Sequence, residues 1–149
     1  MRSPDGRWLA GVRDNSDFVY ARGGFGNLAA STVFVVPAVG GTPVMVSDST
    51  TLNVSPVWLP DGSALLFVKD GQIHRARVSP VRAATERDRG DTPFITAWGV
   101  QSSPKWSPDG RKIAFVSTRT DHSFIVVYDV ASRRITYLAP SVDFDTSPL

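Results

Sequence analysis

The hydrophobic positions of this chain fall in short runs broken by turn residues, and the elements this pattern predicts are strands. The stretch from Val100 to Pro140 shows it most fully. Lys105-Trp106 leads into Ser107-Pro108-Asp109-Gly110, and Lys112 to Ser117 leads out. Pro108 presets φ for the first central position of a tight turn, Asp109 can bond its own backbone, and Gly110 can adopt the left-handed conformation that closes it. A hairpin is therefore expected, and a second one follows. Phe124 to Val130 is its outgoing strand, Ala131-Ser132-Arg133 the turn, and Arg134 to Leu138 the return. Four short antiparallel strands within about 40 residues have the size of one propeller blade.

The same unit recurs. Pro60-Asp61-Gly62 follows Trp58 as Pro108-Asp109-Gly110 follows Trp106, and Pro4-Asp5-Gly6 opens the chain. The three aspartates stand 56 and 48 residues apart. Leu9-Ala10-Gly11-Val12 aligns without gaps on Leu65-Leu66-Phe67-Val68 and on Ile113-Ala114-Phe115-Val116. The pairs Ser55-Pro56, Ser103-Pro104 and Ser147-Pro148 are expected to begin successive units. Self-similarity at this period marks repeats of one supersecondary unit. The chain is thus expected to be all-β: a partial β-propeller of about three four-stranded antiparallel blades in an open arc. The blades are expected over residues 1–50 (incomplete), 51–98 and 99–141, with 142–149 starting another. The first repeat lacks its first strand and the last stops before its turn, so an internal piece of a longer protein is expected. The alternative is a complete domain whose end strands pair with each other.

Within the first blade, Arg7 to Arg13, Ser31 to Pro37 and Pro43 to Ser47 read as strands, with Gly40-Gly41-Thr42 as a hairpin turn. Asp14 to Ala30 is too long for a hairpin loop; a strand extension around Phe18-Val19-Tyr20 and a glycine-rich tip are expected there. In the second blade the strands are Leu52 to Leu59, Ser63 to Lys69, Gln72 to Val78 and Pro93 to Ala97. Asp70-Gly71 is a strong two-residue hairpin signal. Ser79 to Thr92 reads as a surface loop of mixed charge.

Composition supports strands and limits the chemistry. Glutamate occurs only at Glu86 and lysine three times, against 11 prolines and 12 glycines, a poor mixture for helices. Cysteine is absent, so disulfide and thiol chemistry are excluded. A net charge of +2 is too small to argue for nucleic acid. No apolar run reaches membrane-spanning length, and Met1 runs at once into a turn, so neither a span nor a signal peptide is expected.

Gly24-Phe25-Gly26-Asn27-Leu28-Ala29 fits the G-x-G-x-x-A dinucleotide pattern, but the β-branched run from Ser31 follows at once and leaves no room for the required helix. A glycine-rich loop is the better reading, with a nucleotide-binding enzyme as the alternative. His122, beside Asp121, is expected to hydrogen-bond within a turn. His74 lies on the alternating stretch Ile73 to Val78, expected to be a solvated strand or a channel wall. The two histidines have no matched ligand spacing and no G-x-S-x-G elbow accompanies them, so no metal, cofactor or catalytic residue is assigned. Arg75, Arg77, Arg82, Arg87 and Arg89 are interleaved with Glu86, Asp88 and Asp91, which suits a solvated face better than an anion-binding rim. Trp58 and Trp106 recur at one repeat position, as expected for packing between blades.

The W-x-P-D-G turn followed by an apolar strand resembles the TolB-type, WD40-like propeller repeat. Trp8 falls after its turn, and Leu59 stands where the repeat usually has serine. A narrower resemblance lies in Ser107 to Pro148, especially Asp121 to Asp129 and Tyr137 to Ser141. That region resembles the amino-terminal propeller of bacterial prolyl-oligopeptidase-type serine peptidases, the dipeptidyl-peptidase and acylaminoacyl-peptidase group. The resemblance implies a separate hydrolase domain carrying the Ser-Asp-His triad, with the propeller gating peptide access and contributing no catalytic residue. It also implies a periplasmic or secreted parent protein. The alternative is a TolB-like scaffold that binds a protein partner and has no enzyme attached.

An open arc leaves two blade faces unpartnered. Some of Leu9, Val12, Phe34, Ile113, Phe115, Ile125 and Val127 are therefore expected to be exposed, and the middle blade to be best protected.

Overall fold

The computed structural model describes residues 1–14, 18–21, 24–27, 29–78 and 91–138. Among them every regular element is a strand. The first sheet has the order β1-β4-β5, with β1 Trp8–Arg13, β4 Thr32–Pro37 and β5 Val44–Met45. The second has the order β6-β7-β8-β9: Asn53–Trp58, Ala64–Lys69, Gln72–Arg77 and Thr92–Ile95. The third has the order β10-β11-β12-β13: Val100–Trp106, Lys112–Thr118, Ser123–Asp129 and Ile135–Tyr137. All pairings are antiparallel, and in the second and third sheets they join sequence neighbours, as hairpin-connected blades require; in the first, β1 pairs with β4. The fold is a partial β-propeller.

The first sheet keeps only a stub of an inner strand. Arg2 bridges Leu9, and Ala10 N donates to Met1 O at 2.7 Å. The connection from β1 to β4 carries a separate two-stranded ribbon, β2 Phe18–Ala21 with β3 Gly24–Asn27. The expected glycine-rich tip is therefore partly a strand: Gly24 and Gly26 pair with Ala21 and Val19. No helix opens at Gly24 to Asn27, so the dinucleotide pattern lacks the element that would hold a pyrophosphate.

Ser55-Pro56 and Ser103-Pro104 do not begin their strands. They form bulges inside β6 and β10, where the register shifts between Val54 and Val57 and between Ser102 and Lys105. Proline has no N–H for the ladder, and on β6 and β10, the end strands of their sheets, it falls where pairing is interrupted. The serine before each proline takes positive φ, 53° and 51°. At the β7–β8 hairpin Asp70 and Gly71 both have positive φ, 47° and 76°, the geometry of a type I′ turn.

The core lies between sheets. Along β7, Leu65 and Phe67 pack toward the first sheet with Ala10, Val33, Val35 and Val46. Leu66 and Val68 pack toward the third with Ile113, Phe115, Val126 and Tyr128. Ala64 to Val68 are all buried, which is why β7 reads as a continuous apolar run rather than an alternating one. Ile113 and Phe115, expected among residues at risk of exposure, point into this packed interface. Of the others, Leu9 is 39% exposed, while Val12, Phe34, Ile125 and Val127 are half-buried. On the outer face of the first sheet the Phe34 ring lies across Gly11; a Cβ there would stand 2.8 Å from Phe34 Cζ.

Candidate functional site

The three Pro-Asp-Gly turns superpose in chemistry as well as in sequence. Gly6, Gly62 and Gly110 have φ of 74°, 71° and 69°, so each supplies the left-handed residue that ends its turn. Their amides donate to the carbonyls of Ser3, Leu59 and Ser107, each at 2.9 Å. Oδ1 of Asp5, Asp61 and Asp109 accepts the backbone N–H of Arg7, Ser63 and Arg111. In the first and third turns a serine hydroxyl before the proline also donates to the aspartate, Ser3 and Ser107 each at 2.6 Å. Leu59 cannot, and the second turn uses Ser63 Oγ instead, at 2.7 Å. These donors hold all three carboxyl groups below the usual carboxylate range: the Ser3 hydroxyl leads at Asp5, the Ser63 amide at Asp61 and the Ser107 hydroxyl at Asp109.

Successive turns also touch. A Cβ on Gly110 would lie 2.9 Å from Cγ of Pro60, and one on Gly62 would lie 3.7 Å from Cδ of Pro4. Each glycine thus sits against the proline of the preceding blade. Trp58 is buried in the cluster between the first and second sheets, and Trp106 is half-buried against the cluster between the second and third.

Sequence reasoning missed the polar contacts between blades. Asn53 and Gln101 stand at one repeat position, two residues before each Ser-Pro pair, and both are fully buried. Asn53 Nδ2 donates to Ser31 O at 2.8 Å and Thr51 O at 2.9 Å, while its backbone N–H donates to Ser31 Oγ at 2.8 Å. Gln101 Oε1 accepts Ile73 N–H at 2.8 Å, and Nε2 donates to Gln72 Oε1 at 2.9 Å. Each amide ties the inner strand of one blade to the third-strand region of the blade before. The available signal was the recurrence of an amide two residues ahead of Ser-Pro.

A charged cluster accompanies the first junction. Lys69 Nζ lies 2.6 Å from Asp48 Oδ2 and 2.8 Å from Asp91 Oδ2. Burial opposes the Lys69 charge, but the two carboxylates outweigh it and its pKa is raised. Asp48 is also partly buried, yet Lys69 and the donors of Thr50 and Thr51 hold its carboxyl well below the usual range. His74 Nδ1 stands 3.5 Å from Asp91 Oδ2, and its ring faces Phe67 with centroids 6.2 Å apart. Burial pushes the His74 pKa down, against the pull of Asp91. The expectation of a solvated strand or channel wall is corrected here: the His74 side chain is only 15% exposed and lies on a third strand, not on the inner β6. The pattern misled because Phe67, opposite it on β7, shields the polar alternation.

His122 bonds Asp121 through Nδ1 at 2.5 Å and packs edge-on against Phe124. Arg119 lies over the rings of Phe124 and Tyr137. Arg75 rests over Phe94 and Arg77 is exposed, whereas Arg82, Glu86, Arg87, Asp88 and Arg89 lie outside the described residues. Among the described residues no group of three or more metal-ligating side chains is close enough to hold an ion, and no helix is long and apolar enough to cross a membrane.

No family model matches the chain. Over 82 residues, 51% of the chain, it is 30% identical to a Bacillus subtilis protein named uncharacterized peptidase YuxL, of which it spans 12%. Over 96 residues, 64% of the chain, it is 27% identical to the Tol-Pal system protein TolB of Ruthia magnifica, of which it spans 22%. In structure, 94% of the chain superposes on 31% of TolB from Acinetobacter baumannii with a TM-score of 0.67 at 16% identity. The chain therefore has the fold of the TolB-type propeller and covers a small part of each curated relative.

Proposed function

We propose that this chain is a non-catalytic propeller section of a serine peptidase of the prolyl-oligopeptidase type, gating peptide access to a hydrolase domain elsewhere in the polypeptide. The observation that carries this reading is the 30% identity to a protein named as a peptidase. The settings of the two histidines agree with it. His122 is held in a turn by Asp121, and His74 is wedged between Phe67 and a carboxylate that Lys69 already engages. Neither arrangement is that of a base oriented toward an activated nucleophile. A second reading, a TolB-like scaffold that binds a protein partner, is favoured by the longer match to TolB and by the superposition on its propeller.

The test is the full-length parent protein assayed on chromogenic dipeptide and tripeptide substrates, beside the 149-residue chain. The peptidase reading expects turnover by the full-length protein, abolished by an organophosphate that phosphorylates an active serine, and none by the chain alone. A full-length protein with no G-x-S-x-G segment and no turnover overturns it in favour of the scaffold. Turnover by the chain alone, lost on His122→Ala or His74→Ala, overturns both.

A further inference from the structure

We infer that the cavity between the first two Pro-Asp-Gly turns is a binding site for an acidic peptide, taking one carboxylate and the apolar side chain beside it. The cavity has a volume of ≈ 670 Å³ and lies between the first turn, the Pro37 to Val39 turn, and the middle blade at Gly62 and Val78. That volume is within the range of about 300–1,000 Å³ common to ligand pockets.

The repeats show that its lining is special. Three residues before the turn aspartate, the second and third repeats have Trp58 and Trp106, and the first has Arg2. The strand position is the same: Arg2 bridges Leu9 as Trp58 pairs with Leu65 and Trp106 with Ile113. Three residues after the aspartate, the second and third repeats have Ala64 and Lys112, and the first has Trp8. Both departures from the repeat line this one cavity. The repeat tryptophan's position has lost its aromatic to a cation, and Trp8, which packs by one side against the cluster between the first and second sheets, stands where its counterparts are small or charged.

The charges are set for an anion. Arg2 Nε donates to Gly6 O at 3.2 Å, and its guanidinium lies over Gly6, where a Cβ would come within 3.0 Å of Nη2. Arg7 Nε donates to Asp5 Oδ2 at 2.6 Å. Both guanidiniums are thus anchored through Nε, which leaves their Nη edges for a carboxylate, the geometry in which Arg binds such groups most strongly. Asp5 is already engaged by Ser3, by the Arg7 amide and by the Arg7 side chain. Two guanidiniums against the ionised Asp5 leave one net positive charge, which matches a single carboxylate, while Asp5 would repel a phosphate dianion. Trp8, Val78 and the 99% exposed Val39 supply the apolar wall for a neighbouring side chain. The inference stands whether or not a hydrolase domain accompanies the chain, so its failure and that of the peptidase reading are separate events.

The test is fluorescence anisotropy of the 149-residue chain with fluorescein-labelled Leu-Glu-Leu-Phe-amide and its glutamine counterpart. The glutamate peptide is expected to bind about tenfold tighter than the glutamine one. Arg2→Gln and Arg7→Gln are each expected to erase most of that preference, and Trp8→Ala to weaken both peptides alike. The Arg7 side chain is 79% exposed, so Arg7→Gln decides the matter even if Arg2→Gln disturbs the fold. Equal affinity for the two peptides, no saturable binding, or an unchanged preference in Arg7→Gln overturns the proposal. So does sedimentation showing that the cavity face is closed by a second copy that the peptide does not displace.

Discussion

The two blade junctions are built from equivalent residues yet held by different polar devices. Phe67 and Phe115 stand 48 residues apart at one repeat position, both fully buried, one in each interface. Asn53 and Gln101 clasp the preceding blade at both. At the next equivalent pair the junctions part. Lys69 bridges Asp48 and Asp91 beside His74, whereas its counterpart Ser117 is a buried hydroxyl that donates to the Trp98 carbonyl. The turns differ too, with Gly110 pressed against Pro60 and Gly62 standing off Pro4. The apolar repeat sets where blades meet, and residues outside the repeat set how each meeting responds to its surroundings.

If the apolar scaffold is shared, truncating it costs the same on either side. Phe67→Ala and Phe115→Ala are each expected to destabilise by about 3–5 kcal/mol, as large buried side chains do. Urea unfolding of the two variants checks this; a cost confined to one would show that the junctions are unequal in their cores.

The turns are expected to differ by a smaller margin. Alanine at either glycine meets a left-handed backbone, at about 1–2 kcal/mol. Gly110→Ala must also move Pro60, so it is expected to cost more than Gly62→Ala, which finds an open contact. Thermal unfolding of the pair sharpens the comparison. Equal losses would show that only the φ angle matters and that the proline contact yields freely.

The repeat was legible from sequence because its signals are local. Pro-Asp-Gly chemistry, apolar runs and Asp70-Gly71 each fix a turn or strand without knowledge of its neighbours. Contacts between blades were not legible, because Asn53 meets Ser31 and Lys69 meets Asp48 across a junction that no local rule describes. The Ser-Pro recurrence marks a boundary as readily as a bulge; a proline inside a paired strand is readable as a bulge only once the pairing is known. The alternation around His74 describes one strand, while its burial comes from the opposing Phe67 and from the neighbouring sheet. The cavity is not legible because the sequence shows only that Trp8 falls after its turn, not what occupies the tryptophan's place. In the structure Arg2 holds the tryptophan's place.

The smallest expected effect tests the central contrast, that acid loosens one junction and spares the other. The His74 pKa is lowered in the fold from 6.5, so the unfolded chain binds the proton more readily. Its neutral form supports folding above 6.5, and that support is lost as pH falls through the lowered folded value. Asp91, Lys69, Asp48 and Asp70 are the charges acting on it, and the lowered pKa of Asp48 keeps that carboxylate ionised throughout this window. The decisive measurement is amide hydrogen exchange, expressed as protection factors at pH of about 7.5 and about 5.5. The account predicts that Val33 and Val35 on β4 lose protection on acidification relative to Phe115 and Val126 in the second junction, and that His74→Gln removes the difference. Equal loss at both junctions, or an earlier loss at Phe115, would contradict it.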